Sequence, residues 1–184
     1  IGLGIPAEPL FRSMNLFPEK ALAFYIEKFT PVHCQESIPN TKHVVDIFLP
    51  ELNIVIEYDG EYFHKNKIEF DTHKTNDIVE QNIHIIRIRI GKLPPIQGAN
   101  NLFCKEDDLD ETIRAVLFYL TENFNLPTHS VPINSNKDTY LILDRYNKMY
   151  SENSLAKTHF ALANEWHPTK NSPLTPEKVK AQHS

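Results

Sequence analysis

The stretch His43-Val44-Val45-Asp46-Ile47-Phe48-Leu49-Pro50-Glu51-Leu52-Asn53-Ile54-Val55-Ile56-Glu57-Tyr58-Asp59-Gly60 holds two apolar, β-rich runs around a Pro-Glu-Leu-Asn break. That pattern predicts a β-hairpin. With Glu51 and Leu52 as the turn residues, the numbers of paired residues sum to 103, which sets Asp46 directly across from Glu57. Side chains alternate along a strand, so Asp59 shares the face of Glu57. Three carboxylates are therefore expected on one patch of sheet. Directly paired strand residues have side chains about 4.5–5.5 Å apart, and like charges there repel. At an effective dielectric near 20, two charges about 4 Å apart cost roughly 4 kcal/mol. A hard divalent cation with oxygen ligands, such as Mg²⁺, removes that cost. The bland alternative is a hairpin with a polar, solvated face.

Working outward, Pro18 and Glu19 suit the first turn of a helix that continues through Lys20–Phe29, with Leu22, Tyr25, Ile26 and Phe29 at helical spacing. Val32–Ser37 reads as a strand. A polar stretch follows Gly60, and Phe70 to about Asn82 reads as a helix. Ile83–Ile90 is a strong strand carrying Arg87 and Arg89 on one face. Lys92–Asn101 reads as a loop. Asp107 to about Asn125 is a long helix with Leu109, Ile113, Val116, Leu117 and Leu120 as its apolar stripe. The predicted order of helix, strands, helix, strand, helix implies an α/β fold, a mixed β-sheet flanked by helices.

The chain has 184 residues, 41% of them hydrophobic, enough for one ordinary domain and an appendage. It opens on Ile1 rather than Met, so a fragment of a longer protein is expected. No signal-peptide pattern or long uncharged apolar segment appears, so no membrane partner is expected. Cys34 and Cys104 are too few for a disulfide framework and read as free thiols of a cytoplasmic protein. A formal charge of −5 argues against strong nonspecific DNA binding by this piece alone. Oligomeric state is not legible.

Asp71 and Lys74 share a face of the second long helix, which follows the carboxylate strand. Lys74 therefore points back at the carboxylates, or forms an exposed pair with Asp71. Asp46, then Glu57-Tyr58-Asp59-Gly60, then His64-Lys65, Asp71-x-x-Lys74 and Ile86-Arg87-Ile88-Arg89 resembles the PD-(D/E)xK restriction-endonuclease-like superfamily. Within it the very-short-patch repair endonuclease branch is the most similar, over roughly residues 15–125. The resemblance implies a restriction-endonuclease-like core and a Mg²⁺-dependent endonuclease acting on DNA, with Mn²⁺ as a possible substitute. It implies metal ligation by Asp46, Glu57 and Glu19, and catalysis by Asp46, Glu57, Asp59, Lys74 and His64. Asp59 stands where the family's motif has lysine, so the lysine role passes to Lys74. Glu19 reads equally as a first-turn helix acid, and His64 as a surface group. Arg87 and Arg89 read as phosphate contacts or as partners of helix acids; with Lys65 they form the implied DNA-binding set.

Pro127–Lys137 reads as a linker, with a helical piece over Thr139–Ser151. Leu162-Ala163-Asn164-Glu165-Trp166-His167-Pro168-Thr169-Lys170-Asn171 resembles the opening of a zinc-ribbon repeat, without its cysteines. The expected organisation is an endonuclease-like domain over 1–126, a linker and helical connection over 127–153, and a partial zinc-ribbon-like segment over 154–184. A catalytically inactive nuclease fold that binds DNA or a protein is the alternative function. A metal-stabilised structural domain is the third.

Overall fold

The computed structural model describes residues 17–128 and 131–148. Its elements run α1 (Phe17–Ile26), β1 (His33–Ser37), β2 (Val44–Leu49), β3 (Ile54–Asp59), α2 (Glu61–His64), α3 (Ile68–Val79), β4 (His84–Ile90), β5 (Asn100–Cys104) and α4 (Leu109–Phe124). A further helix, α5, occupies 139–148. The five strands form one sheet in the order β1-β2-β3-β4-β5. β1, β2 and β3 pair antiparallel, while β3, β4 and β5 pair parallel. The architecture is therefore mixed α/β, with helices flanking a mixed sheet.

The hairpin register is Ile47 with Ile56, Phe48 with Val55 and Leu49 with Ile54. These are the pairs expected when Glu51 and Leu52 centre the turn. Asn53 closes the turn at φ 54°, a left-handed conformation that Asn tolerates better than most residues. β4 lies between two partners and is buried from Ile85 to Ile90, which explains its run of isoleucines. β5 falls partly within the stretch read as a loop. It is an edge strand whose Asn-Asn-Leu-Phe-Cys sequence has no clear alternation.

Parallel register aligns Val55 with Ile85, Glu57 with Arg87 and Asp59 with Arg89. All six therefore share one face. α3 packs on β4 and buries Asp71, Lys74, Thr75 and Ile78 at helical spacing. Val55, Ile78, Ile83 and Ile85 make the apolar end of this layer. α1 and α4 pack on each other and against β2 and β5 respectively. Leu22, Tyr25, Ile26, Ile113, Val116, Leu117 and Leu120 form their buried stripes. α4 starts at Asp108, whose side chain accepts from the Glu111 amide at 2.9 Å, and ends at Asn125 in the left-handed region.

The first compact unit extends to Tyr146. Residues 127–146, read as linker and connection, belong to it: Asp138 accepts from the Tyr25 hydroxyl at 2.6 Å, and Ser135 N–H donates to Asp110 at 2.9 Å. Ile142 and Tyr146 are buried, and Arg145 pairs with Glu27. Residues 1–16 and the segment 154–184, read from sequence as zinc-ribbon-like, lie outside the described residues.

Candidate active site

The ladder between β2 and β3 is last formed at Ile47 and Ile56. Past that rung, side chains take over the backbone donors. Asp46 N–H donates to Glu57 Oε1 at 3.3 Å, and Tyr58 N–H donates to Asp46 Oδ2 at 2.9 Å. The two carboxylates thus lie across from each other on the same side of the sheet. α1 brings Glu19 to this point, and Gln35 Nε2 of β1 spans Glu19 Oε2 at 3.4 Å and Asp46 Oδ1 at 3.5 Å. Gln35 sits at φ 51° inside a strand, a strained conformation that turns its side chain into this site. From α3, Lys74 Nζ donates to Glu57 Oε2 at 2.6 Å, with both side chains buried. The exposed Asp71–Lys74 pair does not form.

Three acids share this buried place with Lys74, and Lys20 lies beside Glu19. Burial, then Asp46 and Glu57, push the Glu19 carboxyl up to about 9. Burial, then Asp46, raise Glu57 to about 7 against the opposing pull of Lys74. Burial also raises Asp46, opposed by the hydrogen bond from the Tyr58 amide. Burial is the first cause of all three shifts, so the site resists holding three ionised carboxylates at once.

Asp59 does not join it. Arg87 grips Asp59 with Nε at 2.7 Å and Nη2 at 2.8 Å, and Arg89 Nη1 lies 2.9 Å from the same carboxylate. Both arginines also reach Asp71, at 3.0 and 3.2 Å. Arg87 Nη1 donates to Thr75 as well. Two acids and two arginines balance. Burial alone raises the Asp71 carboxyl, but the His64 hydrogen bond and Arg87 outweigh it and hold it below its ordinary range.

Two assignments from the sequence are thereby corrected. Arg87 and Arg89 are 0% exposed and committed to Asp59 and Asp71, so they do not face nucleic acid. The alternative reading, pairing with a helix acid, describes them. Asp59 is likewise a charge partner inside the sheet, not a third free carboxylate. His64 Nδ1 lies 2.9 Å from Asp71 Oδ2 and 3.3 Å from Asp59 Oδ1, at the partly exposed rim of this second cluster. Lys65 is exposed, its ammonium 5.8 Å from the centre of the Tyr62 ring.

Among the described residues, two groups bring three donor atoms within 4.8 Å of one another: Asp59, His64 and Asp71, and His43, His73 and Asp77. The first is already neutralised by arginine. Glu19, Asp46 and Glu57 are not among these groups. They nonetheless fit a hard cation by their chemistry: an all-oxygen donor set, buried, with unmatched negative charge.

Gln35, Asp71 and Thr75 are site neighbours that sequence reasoning did not assign. Asp71 carried a signal in its helical spacing to Lys74, whereas Gln35 carried none. No family model, curated protein or solved structure matches this chain.

Proposed function

We propose that this chain has a restriction-endonuclease-like core and is a divalent-metal-dependent endonuclease that hydrolyses DNA phosphodiester bonds. The observation that carries the reading is Lys74, delivered by α3 to 2.6 Å from Glu57 in a buried site shared with Asp46 and Glu19. Asp46, Glu57 and Glu19 would hold Mg²⁺, or Mn²⁺ in its place. Bound there, the ion supplies Lewis acidity toward a phosphate diester.

Lys74 opposes the upward shift of Glu57 and orients its carboxylate, and its remaining N–H donors would serve the developing charge on a phosphate oxygen. Gln35 fixes the Glu19 and Asp46 carboxylates relative to each other. His64, oriented through Nδ1 by Asp71, is the second group able to move a proton. Lys65 takes over the phosphate contact that the buried arginines cannot make. The free thiols Cys34 and Cys104 suit a cytoplasmic setting.

The net charge of −5 favours a second reading, a nuclease fold that binds DNA or a protein without cutting. Cleavage of supercoiled and linear DNA with Mg²⁺ or Mn²⁺ separates the two. Asp46→Ala and Lys74→Met are each expected to lower the rate by about 10²–10³-fold, the range seen when one preorganised electrostatic group is removed. Intact DNA with the wild-type chain, in either metal, supports the binding module instead.

A further inference from the structure

A second cluster of ligating side chains lies away from the carboxylate site. His43 stands just before β2, after the turn that joins it to β1. Its Nε2 is 2.6 Å from Asp77 Oδ2. His73 and Asp77 are four residues apart on α3, and His73 Nδ1 is 3.0 Å from the same oxygen. All three donor atoms lie within 4.8 Å of one another. An open groove of about 530 Å³, lined by His43, His73, Asp77 and Glu80, gives access from solvent. The ring of Phe70 meets His43 edge-on at 6.3 Å.

We propose that His43, His73 and Asp77 form a site for a borderline transition-metal ion of the Zn²⁺ class, separate from the all-oxygen carboxylate site. Two imidazoles and one carboxylate are the donors such ions prefer, and three protein ligands leave a fourth position open toward the groove. Metal–ligand bonds of about 2.0–2.2 Å place tetrahedral donors about 3.3–3.5 Å apart. The two contacts to Asp77, now 2.6 and 3.0 Å, would lengthen by about 0.3–0.9 Å to reach that. The Asp77 carboxyl is already held below its ordinary range, first by the hydrogen bond from His43 and also by His73, so it is ionised at neutral pH. Ligands from the β1–β2 turn and from α3 would tie these two segments together. That fixes the helix whose next residue after His73 is Lys74.

Calorimetric titration of the full chain with Zn²⁺, in excess Mg²⁺ to saturate the oxygen site, tests this without any activity assay. Co²⁺ absorption serves as the coordination probe. The wild type should bind one ion with a tetrahedral Co²⁺ band. His73→Ala and Asp77→Asn should each weaken binding at least tenfold and lose the band, while His64→Gln keeps both. His73 is 74% exposed on its side chain, so its removal should leave the metal-free melting temperature unchanged. Wild type and both variants titrating alike, or loss of the ion in His64→Gln instead, would overturn the assignment.

Discussion

Two acidic clusters sit one turn of α3 apart on the same face of the sheet, and their charge balance is opposite. Around Asp59 and Asp71, two arginines match two acids and no charge is left over. Around Glu19, Asp46 and Glu57 stand Lys74, paired with Glu57, and Lys20, beside Glu19. The first cluster resembles a structural core: its acids and arginines are buried and paired with one another, with Arg89 Nη2 left without a hydrogen bond among the described residues. The second holds three acids whose ionised forms burial opposes. Buried, strongly shifted carboxylates of this kind are candidates for function.

Breaking the balanced cluster should have the largest effect on stability. Asp59→Asn leaves two buried guanidinium groups short of a partner, and removing one member of a buried ion pair costs about 3–5 kcal/mol. The denaturant midpoint should fall accordingly, with or without Mg²⁺. A loss under 1 kcal/mol would mean that the arginines re-pair readily and that the cluster is not a closed unit.

The unbalanced cluster should respond in the other direction. Glu19→Gln removes an acid whose charged form the site resists. It should stabilise the metal-free protein at pH 7 by about 1 kcal/mol or more, raising the melting temperature by about 2–4 °C per kcal/mol. The same substitution should weaken Mg²⁺ binding. Lower thermal stability in EDTA would show that Glu19 is a satisfied helix acid.

The pH dependence sharpens the contrast at smaller amplitude. Glu19 at about 9 and Glu57 at about 7 hold protons that the unfolded chain releases near pH 4.5. Metal-free stability should therefore fall as pH rises from about 5 to 9. Asp71, with its pKa lowered, works the opposite way: its contribution is present above the ordinary carboxylate pKa and is lost on acidification. Saturating Mg²⁺ should flatten the alkaline limb and leave the acid limb alone. Thermal melts across pH, in EDTA and in Mg²⁺, read both limbs, and an alkaline limb that ignores Mg²⁺ would separate the ion from these acids.

The hairpin was legible because its turn chemistry and apolar runs are local, and the register follows from the turn centre. α3 and α4 announced themselves by helical spacing. The fate of Asp59 was not legible, because it depends on the parallel register between β3 and β4, strands joined through α2 and α3. Asp59 and Arg89 meet only in that register. The role of 127–146 escaped for a similar reason. Its anchors are polar bonds such as Tyr25 to Asp138, 113 residues apart, and these leave no periodic trace. Gln35 depends on a left-handed backbone that nothing in its neighbourhood encodes.

Diffraction from crystals soaked in Mn²⁺, with anomalous differences measured, is the most direct test. A peak bounded by the oxygens of Asp46 and Glu57, with Glu19 drawn in, is the expected result, while Asp59 and Asp71 keep their arginines. Manganese lodged against Asp59 and Asp71 instead, or no peak beside Asp46 at saturating ion, would contradict the assignment of the missing charge to these three acids.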